Sequence, residues 1–149
     1  SACGWPRRVG REVLRVVVRI FLGLSVLIWL PYGVYCLLAP HALAASAGLT
    51  AVSATGTTEL RAMYGGLQMA IGLLAAFALF RGSLRPAALV ALVFLTLGLG
   101  TGRLFGMALD GDVSQYSGFA LVFEFASAAA AVWLHSREIA DQPRLPGMP

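Results

Sequence analysis

Residues 61–80 read RAMYGGLQMAIGLLAAFALF, an apolar run in which Arg61 is the only charged residue. A helix of about 20 apolar residues is long enough to cross the hydrocarbon core of a bilayer. Three further apolar runs occupy residues 20–38, 84–109 and 118–134. We therefore predict four membrane-spanning helices, with residues 61–80 as the second.

The composition agrees with a protein that lies mostly in lipid. Hydrophobic residues make up 58% of the chain and charged residues 12%, and the mean hydropathy is +0.79. Soluble domains carry roughly 25% charged residues. Because 149 residues leave room for one four-helix unit, we predict an all-α fold in which residues 1–149 form a single integral membrane four-helix bundle.

Arginine residues are concentrated on one side of the predicted bundle, and the chain contains no lysine. They precede the first span, join the second to the third and follow the fourth, at Arg7, Arg8, Arg11, Arg15, Arg19, Arg81, Arg85, Arg137 and Arg144. The connections at 41–58 and 110–117 contain no Lys or Arg. Since Lys and Arg mark the cytoplasmic side, both termini are predicted to be cytoplasmic.

The first apolar run has a competing interpretation as a cleaved signal peptide. Basic residues precede it, and Ala42, Leu43 and Ala44 resemble a cleavage site. The run is longer than the apolar core of about 7–15 residues that signal peptides carry, which favours a retained span. Beyond it, Pro40 and the helix-forming residues before Gly48 predict a short helix on the outer face.

Three charged residues, Arg61, Arg103 and Glu124, lie inside or at the ends of the apolar runs. A charge near the bilayer centre costs a few kcal/mol, so such residues usually face the bundle interior and mark a site. At a rise of about 1.5 Å per residue, Arg103 and Glu124 each lie about 9 Å from the outer ends of their spans. Arg61 is at the rim above them, and we therefore expect all three to share one site.

Polar side chains at helical spacing from these charges complete a candidate pocket in the outer half of the bundle. Gln68, for example, follows Arg61 by nearly two helical turns and is predicted on the same face. The full set of candidate ligand-binding residues is Tyr32, Glu59, Arg61, Tyr64, Gln68, Thr96, Arg103 and Ser127. Glu59 also fits an ordinary role in the first turn of the second span, and Tyr32 also fits an interfacial anchor.

The chemistry of the charged residues allows two interpretations. The arginines would bind an anionic or carbonyl-bearing group, and Glu124 is the candidate catalytic acid or base. Alternatively, an ion pair between Arg103 and Glu124 fixes the register of two helices without any reaction. The sequence does not decide between these interpretations.

Several other features bear on packing and on ligand class. Gly98, Gly102 and Gly106 form a small-residue face that is predicted to pack against another helix of the chain, with self-association as the alternative. Cys3 and Cys36 are predicted at different depths, so no disulfide is expected. No His, Cys, Asp or Glu residues have metal-ligand spacing, and we expect neither a metal nor another cofactor. Topology explains the net charge of +4, so no nucleic-acid partner is expected.

Three stretches, TTELRAMYGGLQMAIGLLAAFAL, LGLGTGRLFGMALDG and FEF, resemble an uncharacterised family of small bacterial membrane proteins, the domain of unknown function 4345. The resemblance covers nearly the whole chain and implies a multi-pass protein of the bacterial plasma (inner) membrane. The family pattern falls on Glu59, Arg61, Tyr64, Gly65, Gly66, Gly102, Arg103, Asp110, Gly111 and Glu124. It implies the same cluster of residues but no activity.

Two functions of different classes follow from the sequence. The first is a membrane protein that binds a lipid-like or amphiphilic ligand in a polar outer-leaflet pocket, with acid–base chemistry at Glu124 as an extension. The second is a non-catalytic accessory or scaffold subunit of a larger membrane assembly, with the charged cluster as a structural ion pair. The expected partners are membrane lipids, an amphiphilic small molecule, and either a second copy of the chain or a larger complex. The residues leave open whether the protein is an enzyme.

Overall fold

Four long helices make up most of the structure, a computed structural model that describes residues 5–112 and 114–140, with side chains from Val9 onward. The helices are Trp5–Leu38, Ala54–Phe80, Arg85–Asp110 and Gln115–Ala140. Each is long and apolar enough to cross a membrane, and the described residues contain no strand. The predicted all-α class and four apolar helices are confirmed. Cys3, Arg144 and the side chains of Arg7 and Arg8 lie outside the described part.

The helices extend beyond the predicted apolar runs. The first begins at Trp5 rather than near residue 20, because the basic segment before Ile20 continues the helix. Arginine is a good helix former, so the basic residues before Ile20 lie outside the apolar run but still belong to the helix. The fourth begins at Gln115 and ends at Ala140, which adds polar turns to both ends of the predicted span.

The connection between the first two long helices contains short helical elements. A 3₁₀ turn at Pro40–Ala42 leads into a helix at Leu43–Ala47. That helix ends at Gly48, whose φ of 68° is in the left-handed region where glycine is favoured. The second long helix then starts after Ser53, whose hydroxyl accepts the N–H of Gly56 at 3.1 Å.

This start corrects the position expected for Glu59. Because the helix begins at Ala54, Glu59 lies in its second turn and is exposed. The expected first-turn role of Glu59 is therefore wrong. Residues 50–58 (TAVSATGTT) are rich in polar and turn-forming residues, which favours a later helix start from the sequence alone.

A π-helical segment, Arg61–Gly66, interrupts the second long helix. Such segments insert an extra residue into a turn and are frequent at functional sites. The insertion turns the residues before it away from the faces that regular helical spacing would give them. Arg61 is the first residue of this segment and Gln68 follows its end by two residues. The two side chains consequently do not share one face of the helix.

The four helices are arranged as two hairpins, the first helix packing on the second and the third on the fourth. The first hairpin is joined at glycines. A Cβ atom placed on Gly65 would lie 2.8 Å from Leu37, and one placed on Gly72 would lie 2.6 Å from the backbone nitrogen of Leu30. The two backbones therefore approach each other as closely as glycine permits.

The third helix does not use the glycines that the sequence indicated. A Cβ atom on Gly98 or Gly102 would meet no neighbouring atom within 4 Å, and both residues are exposed. Gly100 is buried instead, and its Cβ position lies 3.3 Å from the ring of Phe125. Two residues correspond to about 200° around a helix, so Gly100 points away from Gly98. The predicted internal packing of the Gly98, Gly102 and Gly106 face is wrong.

The hydrophobic core occupies only one half of the bundle. It contains Val18 and Leu22 of the first helix, Ala75 and Ala78 of the second, and Leu89, Leu92, Ala131 and Leu134 of the other two. These residues lie near the middle of the first helix, toward the start of the third helix and toward the ends of the second and fourth. The two hairpins pack against each other through these core residues. A cavity separates the hairpins at the opposite end of the bundle.

Candidate functional site

An ion pair between Arg103 and Glu124 forms the centre of the site. Nη2 of Arg103 lies 2.8 Å from Oε1 of Glu124, and Nε lies 3.1 Å from Oε2. The side chain of Glu124 is 5% exposed and that of Arg103 is 25% exposed. Two N–H groups therefore hold both oxygens of a buried carboxylate, the bidentate geometry that suits a guanidinium.

The pair lines a cavity of about 720 Å³ to which all four long helices contribute. Its volume is within the range of about 300–1,000 Å³ that is typical of small-molecule sites. Five of the candidate residues from the sequence meet there, namely Tyr32, Tyr64, Gln68, Arg103 and Glu124. The structure thus brings together side chains that are separated by up to 92 positions in the sequence.

The remaining wall of the cavity is largely apolar and aromatic. Trp29 and Phe123 form its deep end, with ring centroids 6.0 Å apart. Other lining side chains are exposed on the outer surface of the bundle, including Met63 (54%), Phe94 (73%) and Phe119 (78%). The cavity therefore reaches the apolar surface of the bundle between the two hairpins.

Gln68 lines this cavity and carries a buried, unpartnered polar atom. Its Oε1 is buried and accepts no hydrogen bond within the described residues. Among the described residues, three other buried polar atoms lack a hydrogen-bond partner. They belong to Arg85, His135 and Glu138, which do not line the cavity. An unpaired buried acceptor costs about 1–3 kcal/mol, so a hydrogen-bond donor in the cavity would stabilise Gln68.

Tyr116 is a cavity residue that the sequence interpretation missed. The guanidinium carbon of Arg103 lies 5.7 Å from the centroid of the Tyr116 ring, a cation–π arrangement. Tyr116 also lies beside Tyr32. Tyr116 lies two residues before the apolar run that begins at residue 118. Extending the predicted span by one helical turn would have included it.

Arg61 does not line this cavity. Its Nε donates a hydrogen bond to the backbone oxygen of Leu37 at 3.0 Å, near the end of the first long helix. It borders instead a smaller cavity of about 270 Å³ beneath the connection that contains His41 and Thr50. The expected place of Arg61 at the rim of the same site is wrong, because the Arg61 side chain is directed to Leu37 and to the smaller cavity.

Three other candidate residues also lie outside the cavity. Thr96 is buried, but its hydroxyl donates to the backbone oxygen of Leu92 at 2.7 Å within its own helix. Ser127 is partly buried, and neither Ser127 nor Glu59 lines the cavity. Thr96 precedes Arg103 by seven residues and Ser127 follows Glu124 by three, yet neither belongs to the wall of the cavity.

The connection next to the site contains a carboxylate with an altered pKa. Asp112 accepts hydrogen bonds from the hydroxyl of Ser117 and from the N–H of Ser114, the latter at 2.8 Å. These bonds, together with a weaker contribution from Arg103, lower the pKa of Asp112. The hydroxyl of Ser114 accepts the N–H of Ser117 at 3.2 Å, so this group of side chains organises the start of the fourth helix.

Residues 5–112 and 114–140 contain no group of three or more His, Cys, Asp or Glu side chains that lie close enough to hold a metal ion. The polar groups of the cavity are a guanidinium, a carboxylate, an amide and phenols. This set is suited to hydrogen bonding with an organic ligand.

Comparison with known proteins gives one match. A family described as a domain of unknown function (DUF4345) matches residues 17–135. This range includes the four long helices except the ends of the first and last, and it contains every residue of the cavity. No match was found among curated proteins or among solved structures. The chain belongs to the DUF4345 family.

Proposed function

We propose that this DUF4345 protein binds an amphiphilic molecule in the cavity between its two helical hairpins. The observation that carries the proposal is the buried, unpartnered Oε1 of Gln68, which belongs to a largely apolar cavity that also holds the ion pair of Arg103 and Glu124 and three phenols. Arg103 has five N–H donors, and its hydrogen bonds to Glu124 use Nε and Nη2 only. Nη1 therefore provides a donor for a ligand oxygen.

The proposed setting is the bacterial plasma membrane, with both termini in the cytoplasm. The arginine distribution supports this orientation, because the segments 41–58 and 110–117 carry no Lys or Arg. The short helix Leu43–Ala47 would then be on the outer face, and the cavity would open into the outer leaflet. The exposed apolar side chains at its mouth would face lipid rather than water.

An amphiphile fits this geometry better than a water-soluble compound. Its head group would lie at Arg103 and Gln68, and its tail would extend past Phe94 and Phe119 toward the lipid. A ligand confined to the aqueous phase would have to cross this apolar mouth. Entry from the bilayer avoids that barrier.

The proposal is tested by blocking the cavity without touching its polar groups. Gly98 lines the cavity and Gly102 does not, although both are exposed and have no neighbouring atom within 4 Å of a Cβ position. Gly98→Leu should fill the cavity mouth, whereas Gly102→Leu makes the same change one turn away. Both substitutions favour the helix by up to about 1 kcal/mol, so neither should unfold the protein.

Trp29 supplies the readout because it lines the cavity and is 7% exposed. In a Trp5→Phe and Trp133→Phe background, lipids with brominated chains should quench Trp29 fluorescence in a saturable manner. The quenching should persist in Gly102→Leu and disappear in Gly98→Leu. Equal quenching in the two variants, or no saturable quenching in the parent, would contradict the proposal.

The second candidate function is that of a non-catalytic accessory subunit in which the ion pair only fixes the helix register. The bidentate, buried geometry of Arg103 and Glu124 favours this function, since breaking a buried pair is strongly destabilising. It predicts that Gly98→Leu and Gly102→Leu behave alike in every ligand assay, while a partner subunit co-purifies with the chain.

Acid–base catalysis by Glu124 stays a prediction. Both of its oxygens accept hydrogen bonds from Arg103, so a reaction would require the pair to open. Measurement of ligand turnover in Glu124→Gln, compared with ligand binding in the same variant, would distinguish a catalytic from a purely structural role.

A further inference from the structure

We infer that the ligand of this cavity has an uncharged head group that both donates and accepts hydrogen bonds, as in a monoacylglycerol. This inference rests on the proposed function and names its ligand class. It follows from three properties of the cavity: its charge balance, its unpaired polar atoms and its apolar walls.

The charge balance disfavours a charged head group. Arg103 and Glu124 are the charged side chains that line the cavity, and their formal charges cancel. An anionic head group would compete with Glu124 for Arg103 and leave one negative charge uncompensated in an apolar setting, which is costly. Asp112, whose carboxylate also interacts with Arg103, adds further negative charge near the site.

The polar atoms without a partner favour a ligand with two kinds of group. Oε1 of Gln68 is a buried acceptor, and a ligand hydroxyl or N–H group that reaches it would supply the missing donor. Nη1 of Arg103 makes no hydrogen bond to Glu124 and can donate to a carbonyl, ester or hydroxyl oxygen. A simple ester supplies only the acceptor, whereas a glycerol ester supplies both groups on adjacent atoms.

The apolar walls require a chain on the same molecule. Ile28, Leu67 and Leu95 line the cavity together with the exposed Phe94 and Phe119. Burial of one methylene group contributes about 0.8 kcal/mol, so even part of an acyl chain would contribute several kcal/mol. The head group would then supply selectivity, since all acyl lipids share the chain.

The test compares three probes that have the same dibromostearoyl chain. The monoacylglycerol is neutral and has both donors and acceptors, the methyl ester is neutral and has acceptors only, and the fatty acid is anionic at pH 9.5, well above the raised pKa of a carboxyl group in a bilayer. Quenching of Trp29 is titrated in phosphatidylcholine nanodiscs that contain the full chain with Trp5→Phe and Trp133→Phe. One hydrogen bond corresponds to about tenfold in affinity, so the monoacylglycerol should bind about tenfold more tightly than each of the others.

Gln68→Leu tests the donor requirement directly. This variant should lower the affinity for the monoacylglycerol about tenfold and leave the affinity for the methyl ester nearly unchanged. Gly102→Leu serves as the matched control for the fold and should retain the full preference.

Each possible result has a distinct meaning. Tighter binding of the fatty acid than of the monoacylglycerol would overturn the uncharged head group while leaving the proposed function intact. An unchanged preference in Gln68→Leu would overturn the donor requirement. Absence of saturable quenching by all three probes would overturn the proposed function and this inference together.

Discussion

The guanidinium of Arg103 holds both carboxylate oxygens of Glu124 and thereby joins the third long helix to the fourth. The two residues differ in exposure, since the carboxylate is almost completely buried while a quarter of the Arg103 side chain is accessible. Removing one partner should therefore have a different effect from removing the other.

Arg103→Leu should destabilise the protein more than Glu124→Leu. The first substitution leaves a carboxylate buried without a partner, at a cost of about 3–5 kcal/mol. The second leaves a guanidinium whose long aliphatic stem lets it extend toward the polar end of the helix, so we expect a smaller loss of about 1–3 kcal/mol. Thermal unfolding in detergent measures both losses.

The double variant Arg103→Leu with Glu124→Leu should be more stable than Arg103→Leu alone. Replacing both partners leaves no uncompensated charge and often costs little. A double-mutant cycle gives the interaction free energy of the pair. Additive effects of the two substitutions would show that the pair is not coupled.

Gly72→Ala should disrupt the first hairpin. The added methyl group would lie 2.6 Å from the backbone nitrogen of Leu30, so the two helices must separate, and overpacking of this kind costs about 1–3 kcal/mol. Gly66→Ala is the control in the same helix, because its Cβ would have only the oxygen of Arg61 nearby, at 3.9 Å. A comparable loss of thermal stability in the two variants would contradict backbone contact as the cause.

Arg61→Met should weaken the fold slightly and leave the cavity unaffected. The substitution removes the hydrogen bond to the oxygen of Leu37, which contributes about 1 kcal/mol at an exposed position. Quenching of Trp29 by brominated lipids should keep its parental affinity. A large loss of affinity would instead show that Arg61 acts on the ligand.

The start of the fourth helix should become less stable in acid. Ser117 and Ser114 lower the pKa of Asp112, so the stabilisation is complete above the ordinary aspartate pKa of about 4. It is lost as the pH falls through the lower pKa of the folded state. Ser117→Ala should raise the pKa of Asp112 toward its ordinary value, as measured by carbon-detected NMR titration of the carboxyl group. An unchanged pKa would exclude the Ser117 hydroxyl as its main cause.

The fold was predictable because hydrophobicity alone determines where four helices of this length can lie. The pairing of Arg103 with Glu124 was also accessible, since buried charges in apolar helices require partners. Depth along the helices places Tyr32, Tyr64 and Gln68 near that pair, and the structure has all three in the cavity. An inserted residue changes the depth of a side chain little, whereas it changes the direction around the helix by about 100°.

The position of Arg61 was not predictable for the same reason. The π-helical segment Arg61–Gly66 breaks the regular spacing, and no pattern in the residue letters specifies an inserted residue in a turn. The close approach at Gly65 and Gly72 was likewise hidden, because a glycine repeat in the third helix gave the more recognisable pattern. Tertiary contacts decide which glycines are used.

The division into two hairpins has a consequence for biogenesis in the proposed membrane setting. Arg103 and Glu124 belong to the same hairpin, so each charge is compensated as soon as the third and fourth helices enter the bilayer as a unit. The second hairpin does not depend on the first to neutralise its charges during insertion. Docking of the preformed hairpins can then follow as a separate, apolar step at the end of the bundle occupied by the hydrophobic core.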